Sequence, residues 1–271
     1  MLKDITLGQF FPGNSILHRI DPRIKIILTI LFIALVFLAK GVFSYILVLV
    51  FTTLLVIISQ IPFKTIIKSL KPIVFILIFT AILNIFWTAG DNLLFSFGFI
   101  KVYREGIEFA VLMLIRIVSL LTGTSVILTY TTSPIMLTDG LERLLSPLKY
   151  IKVPVHEFSL MMTIALRFIP TLIDETDKIM SAQKSRGADF SSGSIIDRAK
   201  ALIPVLIPLF ISSFRRADEL ATAMECRCYN GGDNRTKMNT TKLGFPDIFV
   251  LVMFVLVGAA VIFVNSIGTV L

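Results

Sequence analysis

Charged residues are scarce in this 271-residue sequence, in which Asp, Glu, Lys and Arg together make up 16%. Soluble domains carry about 25% charged and about 45–50% apolar residues, whereas 55% of this chain is hydrophobic. Cysteine is nearly absent: Cys226 and Cys228 are separated by one residue and cannot form a disulfide framework. These deficits exclude a disordered chain, a collagen-like chain and a disulfide-stapled secreted domain, and they favour a membrane protein.

Long apolar runs take the place of the missing charges. A helix needs about 20 mainly apolar residues to cross a hydrocarbon core about 30 Å thick. Five runs approach this length, and the first reaches it only if Arg23 and Lys25 extend their charged ends to the membrane surface. The runs are 26–39, 42–59, 73–89, 107–129 and 248–270. We therefore predict an all-α membrane protein with about five transmembrane helices.

Basic residues are distributed unevenly between the segments that join these runs. With a cytoplasmic N-terminus, only Lys40, Lys101 and Arg104 of the 26 Lys and Arg residues fall outside, and Arg116 lies within a span. Short loops rich in Lys and Arg stay in the cytoplasm. We therefore predict a cytoplasmic N-terminus, an external C-terminus and a net charge of +8 carried mainly by the cytoplasmic face. This distribution argues against a nucleic-acid partner.

The runs divide the chain into four predicted parts. They are a cytoplasmic N-terminal segment (1–25), a four-span region (26–129), a cytoplasmic region (130–245) and a C-terminal transmembrane helix (246–271). The cytoplasmic region is too long for an unstructured loop. Its stretches 155–187 and 194–229 have a helical period, and the apolar part of the second is too short to span a bilayer. We predict two long amphipathic helices at the cytoplasmic membrane surface.

Both predicted helices end in a similar sequence. The first ends Ala182-Gln-Lys-Ser-Arg186-Gly187, and the second ends Ala223-Met-Glu-Cys-Arg227-Cys228. In each, an Ala lies four residues before an Arg, close to a glycine that would stop the helix. A guanidinium offers five donors in a fixed plane, which suits a carboxylate-lined groove on a partner protein. The same cation could instead simply complement the partial charge of a helix C-terminus.

Several blocks, in chain order, resemble the transmembrane T component of energy-coupling factor (ECF) importers. They include Leu7-Gly-Gln-Phe-Phe-Pro12, Asp21-Pro-Arg-Ile-Lys25, Thr131-Thr-Ser-Pro134, Ala165-Leu-Arg-Phe-Ile-Pro170 and Arg215-Arg-Ala-Asp-Glu-Leu220. The blocks extend from residue 7 to about residue 230. The joint match is specific, although any single block would be weak.

The resemblance implies a scaffold subunit of an ATP-driven importer of vitamins or other micronutrients in a prokaryotic cell membrane. The implied partners are two ABC-type ATPase subunits and one small substrate-binding membrane S subunit. Different S subunits could take turns on the same scaffold. Arginines of two Ala-Arg-Gly-type signatures would dock in the ATPases; they correspond to Ser185-Arg186-Gly187 and Cys226-Arg227-Cys228. Because the second triplet lacks the glycine, its helix could instead end at Gly231-Gly232.

The chain lacks the Gly-x4-Gly-Lys-Ser/Thr loop that cradles nucleotide phosphates. We therefore expect a non-enzymatic subunit without a bound cofactor, with ATP and Mg²⁺ held by the partner ATPases. On the two amphipathic helices, Met161, Met162, Phe168 and Phe210 are candidate contacts to the S subunit, because Met-rich surfaces repack against varied partners. The same side chains could also pack within the chain.

Other functions have weaker support in the sequence. A stand-alone secondary transporter would need a polar site near mid-membrane, and Arg116, Asn84 and Glu108 are the only candidates. For Arg116 we favour a structural role, in a buried pair or in a contact to Asn84 on another span. An intramembrane enzyme would need clustered Asp, His or Glu, which residues 60–72 and 130–150 do not offer. Two thiols at this spacing, with His18 and His156 far away, do not match a zinc site.

Overall fold

The computed structural model describes residues 10–88, 92–97, 100–190, 192, 194–231 and 243–268. Its helices are α1 (Ile16–Arg19), α2 (Pro22–Leu38), α3 (Val42–Ser59), α4 (Phe63–Leu70), α5 (Val74–Trp87), α6 (Arg104–Thr124), α7 (Pro134–Leu145), α8 (Val155–Ser185), α9 (Ile195–Cys226) and α10 (Phe245–Gly268). Two short strands, β1 (Leu93–Phe97) and β2 (Ile100–Tyr103), lie between α5 and α6. The predicted all-α membrane architecture is confirmed, and α8 and α9 are the two long amphipathic helices.

Four helical segments are long and apolar enough to cross a membrane. They are α3, the combined segment Phe63–Trp87, the segment Arg104–Thr129 and Phe245–Ser266. They correspond to the second to fifth predicted runs, except that residues 89 and 269–270 lie outside the described part of the chain. The first run corresponds to α2, which has 17 residues. Asp21 caps it by accepting a hydrogen bond from the Arg23 backbone N–H.

The chain forms two compact units. One, here called the membrane unit, contains α1 to α6 and α10 together with most of α7. The other, here called the helix-pair unit, begins at residue 142 and contains α8 and α9. Each unit is described separately below.

Aromatic side chains fill the centre of the membrane unit. The Phe51 ring meets the Phe254 ring edge-to-face at a centroid distance of 4.9 Å, and Phe32 lies 6.4 Å from Phe51. Gly123 allows α6 to approach this cluster, because a Cβ at that position would lie 2.2 Å from Phe32 Cε1. A small residue is what lets two membrane helices pack this closely.

The Lys25 side chain does not extend to the membrane surface, as a full-length first span would have required. It is 1% exposed, and its ammonium donates to the Thr131 carbonyl oxygen at 2.8 Å and to Thr132 Oγ1 at 3.1 Å. Close by, the Asp21 backbone N–H donates to Asp247 Oδ1 at 2.8 Å. A buried ammonium requires such partners because its hydration is lost. The contacts join the start of α2 to the segment after α6 and to the start of α10.

The antiparallel hairpin β1–β2 was not predicted from the sequence. Its register pairs Leu93 with Tyr103 and Phe97 with Ile100. The Arg104 N–H donates to the Asn92 carbonyl oxygen at 3.0 Å, which closes the open end of the hairpin. The segment that contains Lys101 was expected only as an external connection between two spans.

Candidate functional site

Helices α8 and α9 lie antiparallel in the helix-pair unit, joined by polar contacts. The Ser212 hydroxyl donates to Glu175 Oε1, and the Arg216 guanidinium donates to Glu175 Oε2 at 2.9 Å. Further along α8, the Gln183 amide donates to the Pro204 carbonyl oxygen at 3.4 Å. The hydrogen bond from Ser212, followed by the charge of Arg216, holds the pKa of the Glu175 carboxyl below its usual value. Glu175 is therefore a carboxylate that ties the two helices together.

Proline explains the Gln183 contact. Pro208 has no backbone N–H, so it cannot donate to the carbonyl oxygen four residues earlier, that of Pro204. The Gln183 side chain supplies a donor to that carbonyl oxygen instead. The proline that interrupts the α9 hydrogen-bond ladder thus creates an acceptor for α8.

The C-terminal end of α8 is closed by two specific backbone hydrogen bonds. The Gly187 N–H donates to the Lys184 carbonyl oxygen at 2.9 Å, and the Ala188 N–H donates to the Gln183 carbonyl oxygen at 3.0 Å. Gly187 has φ +89°, in the region that glycine adopts readily. This is a Schellman closure, and it places Arg186 immediately before the left-handed residue, with an exposed side chain.

The C-terminal end of α9 has the same closure without a glycine. The Cys228 N–H donates to the Glu225 carbonyl oxygen at 2.8 Å, and the Tyr229 N–H donates to the Met224 carbonyl oxygen at 3.0 Å. Cys228 has φ +57° and takes the place that Gly187 has in α8. The helix therefore ends at Arg227 and not at Gly231, the alternative that the sequence left open; Gly232 lies outside the described residues.

The two ends present equivalent side chains to solvent. Ser185 corresponds to Cys226, Arg186 to Arg227, and Gly187 to Cys228, and all six residues are exposed. Within the described part of the chain, neither guanidinium forms an ion pair. Arg186 lies one turn beyond the Gln183–Pro204 contact, whereas Arg227 is at the far end of α9. With a rise of about 1.5 Å per residue, the two arginines are on the order of 40 Å apart along the pair.

The helix-pair unit also has a large exposed apolar surface. Met161 is 61% exposed, Met162 41% and Phe210 62%, whereas Phe168 is half-buried. Further exposed apolar residues of α9 include Ile203, Leu206, Ile207, Ile211 and Phe214. An exposed apolar patch on this scale marks a surface that meets lipid or another protein.

The three candidates for a mid-membrane transport site do not come together. Arg116 donates to the Ala39 carbonyl oxygen at 3.3 Å, and its guanidinium lies 5.3 Å from the centroid of the Tyr45 ring. The Asn84 side chain donates to the carbonyl oxygen of Thr80 in its own helix, and Glu108 pairs with Arg104 at 2.9 Å. Arg116 therefore has a structural role at the end of α2, although its contacts are Ala39 and Tyr45 and not Asn84.

Sequence reasoning missed the polar contacts that join α8 to α9. Glu175 is separated from Ser212 by 37 residues and from Arg216 by 41. The sequence showed Glu175 only as one member of an acidic pair, since no local spacing connects it to a partner so far along the chain. His156, which was dismissed above as a zinc ligand, forms a hydrogen bond with Glu142 Oε1 through Nδ1 at 3.1 Å.

Comparison with known proteins shows which family this chain matches. The family described as CbiQ, cobalt transport protein, matches residues 13–238. A protein of Ruminiclostridium cellulolyticum described as energy-coupling factor transporter transmembrane protein EcfT is 57% identical over 250 residues, covering 92% of this chain and 93% of that protein. A Bacillus subtilis protein with the same description is 46% identical over 266 residues, covering 98% of this chain and 100% of that protein.

A Clostridium kluyveri protein of the same description is 56% identical over 248 residues, which are 91% of this chain and 92% of that protein. These matches extend over both units and include the two helix ends described above. Together with the four apolar helices, these matches identify a multi-pass bacterial membrane protein. The chain belongs to the CbiQ family, among the transmembrane T components of energy-coupling factor transporters.

Proposed function

We propose that this chain is the coupling subunit of an ATP-driven ECF importer of vitamins or other micronutrients. It binds two ABC-type ATPases through the ends of α8 and α9, and it binds a substrate-binding S subunit through the apolar surface of the same helices. The observation that carries the proposal is the repeated helix end. Two Schellman closures place Arg186 and Arg227 in the same local geometry, with exposed guanidinium groups on the order of 40 Å apart. Two copies of a similar ATPase require two similar contacts.

The chemistry of each contact follows from the guanidinium group. An arginine held just before a left-handed residue lies at the end of a helix where the Schellman closure bonds two of the last carbonyl oxygens. It can therefore enter an acidic groove and form paired hydrogen bonds with a carboxylate. Removal of one partner from such a buried charged pair costs about 2–5 kcal/mol, which is sufficient to release a docked subunit.

Movement reaches the S subunit because the two helices are linked. The ATPases bind ATP and Mg²⁺ and close, and the docked arginines then carry the ends of α8 and α9 with them. Glu175 and Gln183 transmit the displacement of one helix to the other. The apolar surface that includes Met161 and Phe210 then tilts the S subunit so that its substrate is released into the cytoplasm. This chain itself supplies no catalytic residue in the proposal.

The orientation in the membrane follows from the basic residues. Short loops rich in Lys and Arg are retained in the cytoplasm, so the N-terminus and the helix-pair unit face the cytoplasm and the C-terminus lies outside. ATP is available only on that side. The positions of both docking ends are then compatible with cytoplasmic ATPases.

Charge reversal at the two arginines tests the proposal. We expect Arg186→Glu and Arg227→Glu each to weaken recovery of the ATPases with the tagged chain, and the double variant to abolish substrate uptake while membrane insertion stays normal. Arg215→Glu is the matched control, because Arg215 is an exposed arginine near the middle of α9, several turns from both Arg186 and Arg227. Normal recovery of the ATPases and normal uptake in the double variant would contradict the proposal. Uptake by the purified chain alone in liposomes, driven by an ion gradient, would instead support a secondary transporter.

A further inference from the structure

Three lysines carry all the charge in a long apolar part of the membrane unit. Between Lys40 and Asp91 the only charged residues are Lys64, Lys68 and Lys71. All three are exposed, and none forms an ion pair with a residue that the structure describes. Three neighbouring cations without a counter-ion form a site of positive potential.

The lysines occupy one face of a short amphipathic helix. Lys64 and Lys68 are four residues apart in α4, and Lys71 follows three residues later, so the three project in similar directions. Immediately beside this face, Phe63 is 60% exposed and Ile67 is 66% exposed. The opposite side of α4 is held to the membrane unit through Ile66, which is buried. Adjacent exposed rows of lysine and apolar residues are the pattern of a helix at a membrane surface.

The position of α4 along its span agrees with this pattern. The segment Phe63–Trp87 has 25 residues, a length of about 37 Å if helical throughout, against a hydrocarbon core about 30 Å thick. Its first turns therefore extend beyond the core to the depth of the headgroups. Trp87, at the other end, is 85% exposed, as expected for an aromatic residue at the opposite interface. Only 11% of the span's most apolar window is buried within this chain, the lowest share among the four candidate spans.

We propose that Lys64, Lys68 and Lys71 bind the phosphate headgroups of anionic phospholipids. The lysine row contacts the phosphates, while Phe63 and Ile67 enter the acyl-chain region beside them. Charge complementarity selects the anionic lipid, because the site has three ammonium groups and no carboxylate. The bound lipids anchor the start of the Phe63–Trp87 span at a fixed depth. This inference is independent of ATPase docking, since it concerns another unit of the chain.

Photo-crosslinking of lipids tests the site directly. The complex purified with its natural partners is reconstituted into phosphatidylcholine vesicles that contain a small fraction of diazirine-bearing phosphatidylglycerol, or the same fraction of diazirine-bearing phosphatidylcholine. After illumination, the labelled peptides are mapped by mass spectrometry. We expect the peptide that contains α4 to be labelled preferentially by phosphatidylglycerol. Because each lysine near an anionic surface contributes about a five-fold preference, Lys64→Gln/Lys68→Gln/Lys71→Gln should lower the phosphatidylglycerol-to-phosphatidylcholine ratio at least about five-fold.

Two further variants separate charge from other effects of substitution. The triple change of the same lysines to Arg keeps the charge and should keep the preference. Changing Lys178, Lys184 and Lys200 to Gln removes the same number of exposed charges from the helix-pair unit and should leave labelling of α4 unchanged. Equal labelling by the two lipids, or an unchanged ratio in the Gln variant, would overturn the proposal. Absence of labelling by either lipid would also overturn it, because a protein partner would then cover this face.

Discussion

Gly187 and Cys228 occupy equivalent backbone positions at the C-terminal ends of α8 and α9. Replacing Gly187 by alanine should destabilise its helix end, whereas replacing Cys228 by glycine should stabilise its own. Gly187 and Cys228 both have positive φ, +89° and +57° respectively. A residue with a Cβ in this region loses roughly 1–2 kcal/mol relative to glycine. Part of this advantage of glycine is lost, because glycine gives up about 0.5–1 kcal/mol more in backbone entropy than other residues when it is ordered. Cys228→Gly should therefore stabilise the end of α9 by up to about 1 kcal/mol, and Gly187→Ala should destabilise the end of α8 by about 1 kcal/mol.

Hydrogen exchange measured by mass spectrometry reports these local changes. The amides of residues 187–188 and 228–229 close the two Schellman motifs, so they exchange when the last turn opens. A change of 1 kcal/mol corresponds to about a five-fold change in rate. After correction for intrinsic rates, Gly187→Ala should speed exchange at the α8 end about five-fold, and Cys228→Gly should slow exchange at the α9 end by up to that factor. ATPase recovery should be retained in Cys228→Gly, because Arg227 keeps its place.

The control at the second end removes the thiol without relaxing the backbone. Cys228→Ala leaves a Cβ at φ +57°, so its exchange should match that of the unaltered chain. Faster exchange in Cys228→Gly than in Cys228→Ala would refute the argument that the left-handed conformation strains this residue. Gln183→Ala changes a residue of α8 but leaves Gly187 in place. If it altered amide exchange at both helix ends as much as Gly187→Ala does, the left-handed backbone at Gly187 would have no special role.

Two further predictions concern packing and pH. Gly123→Ala should lower the stability of the purified complex to thermal unfolding by about 1–3 kcal/mol, because the added Cβ would lie 2.2 Å from a buried ring. Gly258→Ala is the control, since its Cβ would meet nothing within 4 Å, and it should be neutral or stabilising. An equal loss of stability in both variants would contradict the packing argument. The lowered pKa of Glu175, due first to Ser212 and then to Arg216, stabilises the helix pair above its usual pKa of 4.5, and this contribution is lost as the pH falls through the folded-state pKa. Unfolding measured against pH should therefore show a loss on acidification that is smaller in Glu175→Gln, and a constant difference between the two proteins at all pH values would rule out this role.

Local patterns were enough to predict much of the architecture. The apolar runs predicted the spans because a bilayer requires uninterrupted apolar helices, and the helical period over 155–187 predicted α8. Arg186 and Arg227 could be recognised as helix-end residues because glycine and polar residues mark where a helix stops. Whether they dock ATPases stays a prediction. The division at 130 and 245 also stays a prediction of the sequence.

Contacts between distant parts of the chain were beyond those patterns. The first span was counted on the assumption that Lys25 reaches the surface, but carbonyl and hydroxyl groups more than a hundred residues away bury its ammonium. The hairpin β1–β2 lies in a short connection between two predicted spans, where the sequence did not distinguish strands from a loop. Its pairing depends on backbone hydrogen bonds that composition does not encode.

By itself, the sequence determined which segments are apolar, which are amphipathic, where α8 stops and which arginines lie near the two helix ends, because all of these depend on residues within a few turns of one another. Only the tertiary structure decided that Cys228 takes the left-handed conformation of Gly187, and that Glu175 and Gln183 join α8 to α9. Those outcomes depend on hydrogen-bond partners left unsatisfied elsewhere, such as the carbonyl oxygen freed by Pro208. A helix end or a free acceptor acquires its role only when folding brings a complementary group to it.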